Sequence, residues 1–441
     1  MLQPRTLRPL VLVSFLAACA SSSSNEPKSA SPAAPAQPAR AKELAPSAAA
    51  PIARALPSQD ASAPNGAMLR FPDVGATHIV FVYADDLWLV PRDGGVATPL
   101  ASPAGLETLP RFSPDGKTVA FVGNYGGNKD LYTVPVSGGI PTRVTHHPAA
   151  EVLCDWTPDG KLLFFTNGLA GRDRQVQLFT VDAKGGLPQQ LPVPYGAFAS
   201  ISSDGRWLAY TPHTVDNRTW KRYRGGMSTD IWLFDLQTKS AKQATTWEGV
   251  DTAPMWNGKE LVYLTDEGES HRQNLWAVDP TTLKRRQITR YSDYDVKWPS
   301  IGPGPKGTGE VVFQHGPELV LCDLATGTTN VVRVTIPGAQ PKLAPRAVDA
   351  SKFAQGWDVS PTGKRVLVSA RGDVWSLPAK DGSARDLTRT SGVAERDPNW
   401  SPDGKSIAWL EDSTGEYALV VAPADGTAPP KTIAPGTKGF R

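Results

Sequence analysis

The chain has 441 residues and balances 46 Lys and Arg against 43 Asp and Glu, a net charge of +3. That leaves no basic excess to recruit nucleic acid, the less so once Arg5 and Arg8 are removed with an export signal. Hydrophobic residues make up 40%, enough for a core, and 41 Pro and 40 Gly spread along the chain argue for many turns and few long helices.

The first element in chain order is MLQPRTLRPLVLVSFLAACASSSS. Arg5 and Arg8 form a basic head, and residues 10–18 form an apolar run too short to span a bilayer. Leu16, Ala17, Ala18 and Cys19 resemble a bacterial lipobox, in which the cysteine sulfur receives the diacylglycerol and the cleaved chain begins at that cysteine. An ordinary signal peptide with an incidental cysteine is the alternative. Residues 1–19 are thus expected to be a lipoprotein signal, Cys19 the lipidation position, and the cell envelope (periplasm or outer membrane) the location. Residues 20–67 are Ala, Pro and Ser with almost no aromatics. Such a segment cannot bury enough surface to order itself and reads as a disordered, semi-rigid tether.

A repeat occupies the remainder. RFSPDGKTVAFVG, from Arg111, returns almost unchanged as NWSPDGKSIAWLE, from Asn399, and the serines Ser113 and Ser401 are 288 residues apart. Weaker copies are WTPDGKLLFF, SSDGRWLAY, WNGKELVYL and SPTGKRVLVSA. Their turn glycines, Gly116, Gly160, Gly205, Gly258, Gly363 and Gly404, are separated by 44, 45, 53, 105 and 41 residues. A degenerate copy, IGPGPKGTGEVVFQ, sits inside the long gap. A second element of the type DDLWLV, KDLYTV or TDIWLFD accompanies each copy, and a third of the type GGIPTRVT closes it. Eight such units at this period predict the blades of a β-propeller.

The chemistry of the unit agrees. In SPDG the proline presets φ, the aspartate bonds its own backbone, and the glycine takes the positive-φ position. The strand after it, TVAFV, is apolar on both alternating faces, as expected when sheets stack on either side.

Several motifs imitate chemistry. Residues 302–307, GPGPKG, fit GxGxxG, but two prolines lie inside and no helical pattern follows. PDGKT and PDGKS lack the first glycine of a phosphate loop, because Arg111 and Asn399 stand there. His146-His147 has no third metal ligand in view, and Cys154 and Cys322 read as small buried apolar residues. No metal site, cofactor motif or catalytic motif is found. The stretch NRTWKRYRGG, with Arg218, Lys221, Arg222 and Arg224 between aromatics, lengthens the fourth unit. It is either a carboxylate-binding patch or a solvated hairpin whose cations pair with neighbouring acids.

The strings FVYADDLWLVPRDGGVATPL, GLETLPRFSPDGK, WKRYRGGMSTDIWLFDL and DYDVKWPSIGP together resemble the amino-terminal region of tricorn proteases, S41-type serine peptidases, from residue 69 to residue 441. The family's plan is a six-bladed propeller, a seven-bladed propeller, a helical segment, a PDZ domain and a peptidase core. The resemblance implies that residues 68–345 form the six-bladed propeller and residues 346–441 the first two blades of the second. A single eight-bladed ring is the alternative, and the long, proline-bearing connection after unit six is the argument against it. The family's catalytic Ser and His belong to later parts, so no residue here inherits them and the chain alone is expected to be inactive. Arginines of the family's first propeller help to anchor a substrate's terminal carboxylate; Arg172 and Arg174, in the third unit's long loop, occupy the nearest location.

The function expected is the non-catalytic propeller part of a tricorn-like protease, guiding or binding peptides or unfolded polypeptide, with a separate chain as a partner that carries the rest of the protease. The alternative is a lipid-anchored, TolB-like interaction module. The lipobox is at odds with the cytoplasmic location usual for tricorn relatives, which remains the alternative.

Overall fold

The first turn, SPDG, folds as its chemistry requires. The Ser113 hydroxyl donates to the Asp115 carboxylate at 2.6 Å and accepts from the Thr118 N–H at 3.0 Å, while Gly116 sits at φ 68°. Thr157-Asp159-Gly160, Ser202-Asp204-Gly205 and Ser401-Asp403-Gly404 repeat the hydroxyl-to-carboxylate bond at 2.5, 2.5 and 2.6 Å. These bonds hold the Asp115, Asp159, Asp204 and Asp403 carboxyls below the usual carboxylate range.

The structure is a computed structural model that describes residues 69–433, apart from 169–174, 215, 217–220, 306, 339–340, 344–345 and 415–416. The chain divides into Met1–Ala48 and Ala49–Arg441, and every described residue belongs to the second part. The described residues are all-β save for two short 3-10 turns, Pro341–Leu343 and Ala350–Phe353. Among the described residues, eight four-stranded antiparallel sheets follow one another, each a meander in chain order. This is the arrangement of a β-propeller.

The first strands are Arg70–Val74, Glu107–Phe112, Glu151–Trp156, Ala199–Ile201, Asp251–Asn257, Val296–Gly302, Ala354–Val359 and Glu395–Trp400. Through the first six sheets each first strand lies beside the next, and Val296–Gly302 lies beside Arg70–Val74. Further links join the first and sixth sheets. Arg92 Nε donates to Glu310 Oε1 at 2.6 Å. Strand Val334–Thr335, which follows the sixth sheet, pairs in parallel with Gly95–Val96 of the first repeat. Lys342 pairs with Asp86. Gly302 lies so close to Val74 that a Cβ there would meet the Val74 carbonyl oxygen at 2.3 Å. The connection after the sixth sheet is thus partly pinned back onto the first repeat.

The degenerate sixth copy is a full sheet: Val296–Gly302 runs through a turn into Glu310–His315. Gly302, the start of the GxGxxG imitation, therefore ends a strand that is followed by another strand. Core side chains lie between sheets. Phe81, Phe121, Phe164, Tyr263 and Phe313, one from each of five second strands, are 0% exposed. Each contributes about 2–3 kcal/mol by burial.

Candidate functional site

In a meander, the first strand's start, the connection between second and third strands, and the entry from the preceding sheet lie at one end; the SPDG turns lie at the other. The long insertion, between Trp207–Tyr210 and Trp232–Asp235, belongs to the first end, and so does His146-His147.

The insertion is tied to the fifth and sixth repeats. Arg224 Nη1 donates to Asp266 Oδ2 at 2.8 Å, its Nε lies 3.6 Å from Glu248, and its guanidinium stands over the Trp247 ring at 5.0 Å. Trp247 Nε1 donates to the other Asp266 oxygen at 2.7 Å. Lys221 lies 3.4 Å from Asp295. Thr252, on the fifth sheet's first strand, donates to Asp216 at 3.0 Å. Burial pushes the Asp216 carboxyl up, and Lys297 on the sixth first strand opposes that rise. Arg224 and Lys221 are thus paired with this chain's own acids. Arg222 has φ 53°. Arg218, Arg172 and Arg174 lie outside the described residues, as does Cys19.

His147 Nδ1 accepts from the Ala149 N–H at 3.0 Å, and its carbonyl accepts from Asn128 at 2.6 Å. Among the described residues no group of three His, Cys, Asp or Glu is placed to hold a metal. Cys154 and Cys322 are buried free thiols, both pushed up to about 12 by burial. Among the described residues no helix is long and apolar enough to cross a membrane.

The first strands hold the arrangement that sequence reasoning missed. Bulges interrupt seven of them, between Arg70 and Asp73, Thr108 and Arg111, Leu153 and Asp155, Thr252 and Met255, Lys297 and Ser300, Gln355 and Trp357, and Arg396 and Asn399. A bulge re-aims the side chains around it. Just past the bulge stand Asp73, Arg111, Asp155 and Ser300, and these stitch first strand to first strand. Asp73 accepts from the Phe112 N–H at 2.6 Å and from the Ser300 hydroxyl, which joins first strands 227 residues apart. Arg111 donates to the Cys154 carbonyl at 3.2 Å, and Trp156 Nε1 donates to the Arg111 carbonyl at 3.0 Å. Burial raises the Asp73 carboxyl and pushes Asp155 up to about 6, and the Arg111 guanidinium opposes both shifts. In the column of repeats Arg111, Asp155 and Ser200 each stand five residues before a turn glycine, a signal that reading down the column would have found.

A second recurring position is the start of the first strand. Glu107, Glu151 and Glu395 are buried there, each pushed up to about 7 by burial. Tyr125 donates to Glu107 at 2.6 Å, Thr145 donates to Glu151, and Thr390 donates to Glu395. Each is raised further by an acid from the preceding sheet: Asp86, Asp130 and Asp373.

Residues 66–328 match the family model described as the tricorn protease N-terminal beta propeller domain. The chain belongs to this family. Tricorn protease homolog 1 of Streptomyces coelicolor is 28% identical over 382 residues, 83% of this chain and 34% of the relative. The crystal structure of the tricorn protease superposes with a TM-score of 0.57 at 19% identity, covering 85% of this chain and 36% of that one. The Tol-Pal system protein TolB of Francisella tularensis subsp. mediasiatica is 21% identical over 232 residues, half of this chain and 47% of that protein. This tricorn-family chain spans about a third of the length of the tricorn homologue it matches.

Proposed function

We propose that this chain is the non-catalytic propeller portion of a tricorn-like serine protease, in which the first six sheets close a ring and the seventh and eighth begin a second one. The observation that supports it best is the Asp73–Ser300 bond, which stitches the sixth first strand to the first as Asp73 stitches the first to the second. An eight-sheet ring would instead require the first strand to adjoin the eighth. Residues 68–345 are then the first propeller and residues 346–441 two blades of the next.

The loop end of the ring receives peptides or unfolded polypeptide and directs them to a peptidase part, in the same protein or in a separate chain. Arg172 and Arg174 hold the terminal carboxylate by charge-assisted hydrogen bonds. Once residues 1–18 are cleaved, the lipidated Cys19 and the tether 20–67 hold the body at the cell envelope. Purified, the chain does not hydrolyse peptides. Titration with peptides of free and amidated carboxyl ends tests this reading: free ends bind more tightly, and Arg172→Ala with Arg174→Ala removes the difference. Equal affinity for both peptides in the unaltered protein would sink it.

The similarity to TolB over half the chain favours one second reading, an envelope interaction module that binds folded proteins at its rim. Retention of a folded envelope protein, with no affinity for free peptides, would support it over the first.

A further inference from the structure

Two aromatic side chains from the first strands of the first and sixth sheets meet one another. At the bulges of Arg70–Val74 and Val296–Gly302, Phe71 has φ 50° and Trp298 has φ 51°. Bulky side chains rarely occupy this left-handed region, and both rings leave the strand's alternation there. They meet with centroids 4.6 Å apart and planes tilted at 59°. Each is half-buried.

Their other contacts lie on different sides. Phe71 packs against the cluster of the first and second sheets, around Val80, Leu89 and Phe121. Trp298, rooted in the sixth sheet, packs against the cluster that the third and fourth sheets build around Cys154, Leu178 and Phe198. In a ring of six, the sixth sheet faces the third across the axis. A side chain that starts on the sixth and touches the cluster of the third and fourth has to cross that axis.

We infer that Trp298, braced by Phe71, closes the axis of the ring at its waist, so that a polypeptide bound at the loop end stops there and is not threaded through. The inference rests on the six-sheet ring of the proposed function. The half-open faces of the two rings then form an apolar floor to the mouth, with Lys297 beside Trp298 on the same strand.

The native cysteines report on the closure. Cys154 is 6% exposed and lies in the cluster that Trp298 covers; Cys322 is 0% exposed and lies in the cluster between the fifth and sixth sheets. With Cys19 replaced by Ser, these two thiols remain. Reaction with dithionitrobenzoate is expected to be slow at both in the parent protein. In Trp298→Ala, Cys154 reacts about tenfold faster or more while Cys322 keeps its rate, because access limits the reaction. Phe71→Ala, which removes the brace without touching the Cys154 cluster, gives a smaller rise with the same selectivity.

A fast Cys154 in the parent overturns the closure, and so does an unchanged Cys154 rate in both variants. Both thiols rising in step in both variants also overturns it, since the rings would then merely hold the sheets together. The ring itself is tested apart from this. In a background with Cys19, Cys154 and Cys322 replaced by Ser, Asp73→Cys with Ser300→Cys forms a disulfide on oxidation if the first and sixth sheets adjoin. No disulfide sinks the six-sheet reading. A disulfide together with an unaltered Cys154 rate sinks only the closure.

Discussion

Strands Thr118–Gly123 and Ser406–Glu411 follow the same phrase, SPDGK, yet they are buried differently. In the second sheet the strand is buried on both faces from Val119 onward; in the eighth, burial alternates residue by residue. The third strand of the eighth sheet, Ala418–Pro423, alternates too. The seventh sheet's first strand leaves Trp357 at 75% and Val359 at 54% exposure. Ile407, Trp409, Val420 and Ala422 of the eighth pack on Leu367 and Val374 of the seventh, and the opposite face of each sheet is only half-buried. Identical turn chemistry therefore produces the same sheet in both regions, while burial depends on how many neighbours the sheet has.

The largest test of that contrast is a pair of truncations. Phe121→Ala, at 0% exposure between two sheets, is expected to cost about 3–5 kcal/mol. Trp357→Ala, on the bare face, should stay within about 0.5 kcal/mol. Urea midpoints with unchanged slopes read both. A heavy cost for Trp357→Ala would mean that its face is covered.

Next in size is the stitch between first strands. Asp73→Ala leaves the Phe112 N–H without its partner and is expected to cost about 1–3 kcal/mol. Asp358 accepts from the Trp400 N–H at 2.7 Å in the same way. Asp358→Ala should cost less, because Asp358 is half-buried where Asp73 is 4% exposed. Equal losses would break the contrast.

The buried acids give a pH test. Glu107 and Glu151 have folded values raised from 4.5 to about 7, burial being the main cause. Their folded state holds the proton more tightly than the unfolded state. The stability they contribute is therefore fully present below pH about 4.5 and is lost as pH rises through about 7. Thermal midpoints should fall from pH 5 to pH 8. Glu107→Gln, which cannot ionise, should flatten part of that fall, and Glu395→Gln should do the same for the pair of sheets seven and eight alone. A midpoint that rises from pH 5 to pH 8 in the parent and is untouched in the variants would contradict the assignment.

The smallest effect should be equal in both regions. Gly116 and Gly404 sit at φ 68° and 70°, and an added Cβ meets nothing closer than 3.5 Å at either. Each Gly→Ala change is expected to cost about 1–2 kcal/mol from backbone conformation alone. Unequal costs would show that the turn is not a local device.

The turn, the repeat and the two-sided apolar strands could be read from residues, because each is encoded within about ten positions of sequence. The bond between the first and sixth sheets could not, because Asp73 and Ser300 are far apart in the chain and neither belongs to a recurring phrase. The bulges also left no mark, since Phe71, Leu109 and Trp298 take positive φ without being glycine. The basic insertion stood out by composition. Its pairing with Asp266 and Asp295 depends on which sheets pack beside it, and that is a tertiary fact.

Native-state hydrogen exchange separates a closed set of six sheets from an open row. The second strands of sheets one to six, Val80 and Val312 included, are expected to exchange last and together, because each is covered on both faces and the first and sixth sheets cover one another. Strands Arg365–Ala370 and Ser406–Glu411 should exchange earlier. Early exchange confined to sheets one and six would show an open row of sheets in place of a ring, and uniform protection through sheet eight would show that the half-buried faces of sheets seven and eight are covered.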